Sequence, residues 1–233
     1  MNGLRAATAL VVALLALPAY AGGQVGYRPE QSPYRDLEYR REWTFFAGSY
    51  DARKDPVGVA PRGGAMFGGR YDAHLTGPLY AGLRLAGALL ERRILDPKKP
   101  PGERFVGRES VPMVFADVNL SLNLTGFRTW HSLAPYFAGG LGVTADVRGA
   151  YDIGQYRFGF PVTLNFGAGT KWVPRTRWQV RLDWTNYIYQ IRYPDSYFLR
   201  TGEFDPVRLP GQAQSLWRRN VALTLGVSYL YKQ

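Results

Sequence analysis

Apolar and polar side chains alternate with a period of two through about eight segments of this chain. The clearest runs from Val114 to Leu124. One parity holds Val114, Ala116, Val118, Leu120, Leu122 and Leu124; from Asp117 onward the other holds Asp117, Asn119, Ser121 and Asn123. Successive side chains of a strand point to opposite faces. The segment is therefore a strand with one apolar and one polar face.

The same reading predicts strands over about 42–50, 64–75, 79–90, 111–124, 134–148 and 156–172, another from Trp178, and a last one over 220–231. In the second, Phe67, Tyr71 and Leu75 share a face opposite Arg70, Asp72 and His74. In the sixth, Phe158, Phe160, Val162, Leu164 and Phe166 oppose Thr163, Asn165 and Lys171. Pro161 removes a ladder donor there and reads as a bulge. Residues 22–40, polar and Pro-containing, read as an extended arm. The connections at 76–78 and 173–175 are short and 125–133 is intermediate. Those at 51–63, 91–110 and 193–216 are long, with 149–155 the modest member of that set.

The apolar faces belong either inside a soluble barrel or outside a membrane one. The polar parity carries Arg70, Asp72, Arg84, Asp117, Asp146, Arg148, Arg181 and Asp183. Charges of both signs in a narrow lumen compensate one another. The bulky apolar set, with Trp178 and Trp184 on one strand, would overfill the interior of so small a barrel. Trp43, Trp130, Trp172, Trp178, Tyr229 and Tyr231 fall near the short-turn end, and Trp217 with several Tyr near the other. Two aromatic bands match the girdles of membrane barrels, as do short turns on one rim and long loops on the other. The expected fold is all-β, an eight-stranded antiparallel transmembrane barrel over 41–233.

Export fits this. A basic tip at Arg5, an apolar run from Ala6 to Leu17 and Ala19-Tyr20-Ala21 make a signal peptide over 1–21, cut after Ala21. The chain then begins with a periplasmic arm over 22–40. The absence of Cys excludes a disulfide framework. A net charge of +11 invites a nucleic-acid reading, which export opposes. The cations cluster near proposed loops: Arg92, Arg93, Lys98, Lys99, Arg104 and Arg108 in one, Arg218 and Arg219 beside another. Outer-membrane lipid and lipopolysaccharide are the expected partners of such a rim.

The pattern over Glu42 to Tyr231 resembles the small eight-stranded outer-membrane barrels of the OmpA and OmpX type. That resemblance implies a location in the outer membrane of a diderm bacterium, a monomer, and recognition of the last strand by the barrel-insertion machinery. Tyr229 and Tyr231 stand where the family carries its terminal aromatic. Lys232 and Gln233 follow them, a departure from the family pattern.

Motifs for chemistry are scarce. There is no phosphate loop, no His-Glu-x-x-His, and only His74 and His131. No metal site, cofactor or catalytic residue is expected. His131-Ser132 invites comparison with barrel lipid A deacylases, but adjacent strand residues point to opposite faces. The expected function is a structural or surface-interaction barrel without catalysis. A small solute pore is the alternative, and a lipid A-modifying enzyme a weaker one.

Overall fold

The structure, a computed structural model, describes residues 32–149, 152–174, 177–200 and 204–231. The export signal expected over 1–21, the first part of the arm at 22–31, and Lys232 and Gln233 lie outside the described residues.

Ten strands, not eight, form one antiparallel sheet. They are β1 (Tyr34–Asp36), β2 (Arg41–Ala52), β3 (Gly64–Thr76), β4 (Leu79–Leu95), β5 (Phe105–Asn123), β6 (Arg128–Trp130), β7 (Leu133–Asp146), β8 (Val162–Trp172), β9 (Trp178–Arg192) and β10 (Ser215–Tyr231). The two additions, β1 and β6, are three residues each and pair with one another, Tyr34 opposite Trp130. Three residues are too few to show alternation. The arm and the connection at 125–133 therefore read as irregular when each in fact carries a strand.

The eight long strands each pair on both sides. The ladders run from β2 through β3, β4, β5, β7, β8, β9 and β10, and β10 returns to β2. The sheet thus closes on itself.

Several boundaries move. β4 and β5 pair well past the apolar belt, Arg92 opposite Glu109 and Arg93 opposite Arg108, so the expected loop 91–110 contracts to 96–104. β8 begins at Val162 rather than near Tyr156, because Pro161 has no N–H to extend the ladder. The Pro161 carbonyl still accepts from the Thr144 N–H at 3.1 Å. Pro161 therefore ends the strand rather than bulging it. The residues before it become loop. Phe158 turns inward, its ring 5.3 Å from that of Tyr189 and edge-on, while Phe160 stays exposed. Around the sheet, β4 with β5 and β9 with β10 run tall; β2 with β3 and β7 with β8 stop earlier. The rim on the long-loop side rises twice and dips twice.

Leu83, Leu85, Val118, Leu141 and Leu225 point out and are each more than half exposed. Inside there are two levels. Toward the long loops, Tyr50, Met66, Leu90, Met113, Phe115, Tyr187 and Tyr189 pack with loop residues Val59, Tyr156, Phe158, Tyr193 and Tyr197. Toward the short turns the interior is polar and charged. Gly140 and Gly142 of β7 let the β5 backbone approach. A Cβ on Gly140 would lie 2.1 Å from the Val118 carbonyl oxygen, and one on Gly142 2.3 Å from that of Ala116.

Gly140→Ala should therefore destabilise detergent-folded protein by about 1–3 kcal/mol, since either strand must shift. Gly87→Ala, whose new methyl would meet nothing closer than the Phe67 ring at 3.5 Å, should leave the urea midpoint unchanged. Equal midpoints for the two variants would contradict this packing.

Candidate functional site: the charged interior

The lower interior gathers four cations and four carboxylates. Arg70, Arg84, Lys171 and Arg181 stand against Glu42, Asp72, Asp117 and Asp183, so the formal charges cancel. Each is delivered by the inward parity of its strand: Glu42 from β2, Arg70 and Asp72 from β3, Arg84 from β4, Asp117 from β5, Lys171 from β8, Arg181 and Asp183 from β9.

Arg181 is the hub, with no exposed side-chain surface. Its Nη1 lies 2.9 Å from Glu42 Oε1 and 2.9 Å from Asp72 Oδ2, and its Nε 2.7 Å from Asp183 Oδ2. Glu42 also accepts from Lys171 Nζ at 2.7 Å and from the Gln179 amide. Arg70 holds Asp72 through Nε at 2.7–2.8 Å. Tyr136 donates its hydroxyl to Asp183, and its ring lies 4.6 Å below the Arg181 guanidinium. A second cell adjoins. Arg84 Nε reaches both oxygens of Asp117 at 3.0–3.1 Å, and the Asn119 amide donates to Asp117 Oδ1 at 2.8 Å. Unpaired buried charges are costly, so a set that closes to neutrality is what a narrow interior tolerates.

Six of the eight residues read from the sequence as interior charges lie in this network. Asp146 and Arg148 do not. β7 ends at Asp146, and alternation stops deciding direction there. Asp146 Oδ1 accepts the Arg148 backbone N–H at 2.9 Å, and the half-exposed Arg148 side chain reaches Glu109 at 3.2 Å on the rim. Glu42 was missed as a member, although its parity against Trp43 carried the signal. Lys171, whose parity in the sequence also faces inward, joins the network through Glu42.

The upper level is held by loop contacts. Asp55 accepts backbone N–H groups of Gly58, Val59 and Ala60 at 2.9–3.3 Å and the Tyr193 hydroxyl at 2.7 Å. Burial, then the hydrogen bond and charge of Asp55, push the Tyr193 phenol well above its ordinary value. Burial does the same to Tyr156 and Tyr197. These phenols stay neutral across physiological pH and act as packing and hydrogen-bonding groups. Arg92, expected in an exposed basic loop, is instead buried on β4 and bonded to Asp152 at 2.9 Å and Glu109 at 3.0 Å.

Two spaces interrupt the interior. One of about 10 Å³, the size of a single water, touches Arg70, Arg84, Asn119, Tyr136, Asn165 and Asp183. The other, about 420 Å³, lies at the short-turn end between the 35–41 segment and Glu42, Tyr80, Lys171 and Gln179.

Outside, the β9–β10 ladder pairs residues with depth. Trp178 stands opposite Tyr229, then Val180 opposite Val227, Leu182 opposite Leu225, Trp184 opposite Leu223, Ile188 opposite Arg219 and Gln190 opposite Trp217. Trp43, Trp130, Trp172, Trp178 and Tyr229 are exposed at the short-turn end, with Tyr231 half-buried beside them; Trp217 is exposed at the long-loop end. Trp43 packs on Tyr71 at 4.9 Å and Trp178 on Tyr229 at 5.2 Å. His131 and Ser132 both take left-handed backbone angles, φ 47° and 66°, in the β6–β7 turn. His131 stacks edge-on against Trp130. Among the described residues no three His, Cys, Asp or Glu side chains are grouped to hold a metal ion. Nor is any helix there long and apolar enough to cross a membrane, which says nothing of strands.

No family model and no curated protein matches the chain. Among solved structures it is similar to the outer membrane protein OprG from Pseudomonas aeruginosa, at 10% identity and TM-score 0.49, over 84% of this chain and 98% of that one. It is similar to the outer membrane protein AlkL, determined in DMPC bilayers, at 12% identity and TM-score 0.43, over 90% and 98%. The outer membrane protein Ail of Yersinia pestis, in a phospholipid bilayer nanodisc, gives 13% identity and TM-score 0.35, over 83% and 100%.

Removing the hub should cost more than removing a rim charge. Arg181→Met takes one cation from three carboxylates, leaves the interior one positive charge short, and should destabilise detergent-folded protein by about 3–5 kcal/mol. Asp183→Ala should lower the melting temperature by less, and Arg148→Gln hardly at all. A melting temperature for Arg181→Met equal to that of Arg148→Gln would contradict the hub.

Proposed function

We propose that the protein is an integral outer-membrane barrel whose eight long strands span the bilayer, and that it serves a structural or surface-interaction role without catalysis. The observation that carries this is the inversion of the sheet. The closed sheet turns its aliphatic parity outward and keeps four ion-paired cations and four carboxylates within. Such a continuous exposed apolar belt far exceeds what a water-soluble surface carries. From Trp178 to Ile188 the outward parity, apolar but for Asn186, rises about 26 Å, taking about 3.4 Å per residue inclined at about 40°. A bilayer-matched band is about 25 Å tall.

The even number of spanning strands puts the arm and the last strand on one side, the periplasm in this reading. The long connections 53–63, 96–104, 147–161 and 193–214 then face the exterior. Lipid and lipopolysaccharide surround the belt, the insertion machinery reads the last strand, and the barrel is a monomer of the OmpA/OmpX-like kind. The interior charges at 70, 72, 84, 117, 181 and 183 act as an internal strut, and the exposed Trp and Tyr residues as the girdles.

A small solute pore is the second reading. It is favoured by the 420 Å³ space that opens the short-turn end as far as Lys171 and Gln179. Conduction requires the network above it to part, and the tyrosine-lined upper core to yield.

Val118→Arg should cost about 2–4 kcal/mol of folding stability in lipid vesicles, as an arginine at mid-belt does. Protease added to intact cells should cut within 193–214 and spare 32–40. Purified protein in planar bilayers should give no steady conductance. Tolerance of Val118→Arg or the reverse cleavage pattern would overturn the membrane reading. Steady channels would replace the structural role with the pore.

A further inference from the structure

On the long-loop side, a groove of about 510 Å³ runs between the 53–63, 96–104 and 204–212 connections. Its lining includes Arg93, Arg104 and Arg208, with Val57, Phe105 and Val207 as apolar walls, and no carboxylate. Arg62 adjoins it. A methyl group on Gly58 would sit 3.8 Å from both Arg62 Nη2 and Arg93 Cδ.

None of these four arginines is ion-paired among the described residues. Arg93 lies over the Phe105 ring at 4.5 Å. Arg104 donates from Nε to the Lys99 carbonyl at 3.1 Å and from Nη2 to the Asp205 carbonyl. Arg208 lies 4.9 Å over Tyr193 and donates from Nη2 to the Ala213 carbonyl at 3.1 Å. The nearby Asp55 carboxylate already accepts several backbone N–H groups and the Tyr193 hydroxyl. Two donors remain orphaned: the Nε of Arg62 and the Nε of Arg208 are buried with no hydrogen-bond partner. Arg208 itself is 8% exposed. Among the described residues the other buried arginines meet an acid: Arg70, Arg84, Arg92 and Arg181 all do.

The structure assigns this groove as a binding site for a phosphoryl group carried on an organic moiety. Planar guanidinium forks match the oxygens of such an oxyanion and supply the charge that the site lacks. The Phe105, Val57 and Val207 walls accept the uncharged part. The phosphate comes either from a soluble ester or from a membrane glycolipid.

The test is calorimetric titration of detergent-folded protein with glucose 6-phosphate, with glucose as the blank. A parallel arm measures thermal stability in phosphatidylcholine nanodiscs with and without lipopolysaccharide. Saturable binding of glucose 6-phosphate, weakened about tenfold or more by Arg93→Gln and by Arg208→Lys, supports a soluble ester, since each charge-assisted bond carries that much. Arg148→Gln, on another part of the rim, should bind as the parent does. Stabilisation by lipopolysaccharide alone, lost in the same variants, supports the glycolipid source. If Arg208→Lys fails to fold, Arg93→Gln and Arg62→Gln decide. No response in either arm, or equal responses in parent and variants, overturns the site. The soluble arm does not depend on which side of a membrane the groove faces.

Discussion

A backbone that crosses hydrocarbon must satisfy every N–H and C=O within itself, and a sheet can do so only by having no edge. In this protein the β2–β10 ladder removes the two edges that pairing in chain order would otherwise leave. Closure then dictates the rest. It creates an interior, and with eight long strands that interior is too narrow for bulk water. Any charge placed in it must find its opposite within it. Arg181 does this for three strands at once, binding acids from β2, β3 and β9.

Closure also separates the tasks of the two levels. Strand residues alone build the lower, charged level. The upper level borrows from the loops, with Tyr193 and Asp55 joining two connections far apart in sequence. Where the rim dips, at β7–β8, the chain after Asp146 folds back and inserts Phe158 instead of more strand. The tall hairpins lift Arg92 and Arg93 above the belt, and their surroundings differ. Arg92 turns in to Asp152 and Glu109; Arg93 turns out to Phe105.

Period-two alternation made the eight long strands and their outward faces legible, because each spans enough residues for the pattern to repeat. It placed Arg181 and Asp183 on one inward face. It could not find β1 and β6, whose three residues hold less than two periods. It fails at strand ends, where Asp146 and Arg148 no longer obey parity, and at Pro161, whose missing N–H bounds β8 instead of bulging it. Partner choice was beyond it. Alternation says that Glu42 and Lys171 point inward, but only the ring's register brings β2 across from β8 at 2.7 Å. The loop groove is legible only in part: Arg93 and Arg104 belong to one basic cluster along the chain, whereas Arg62 and Arg208 come from other connections.

The β2–β10 seam has a temporal side. Thr44 and Ser228 share a hydrogen bond at 2.7 Å across 184 residues of chain. The first long strand therefore waits for the last before either is fully paired, and contacts of such high sequence separation are slow to form. Until then the nascent sheet carries two naked edges flanking an apolar face, the combination most prone to pair with a foreign strand. A chain broken off before Ser215 can never leave that state. The finished ring therefore requires the last strand as much as the first.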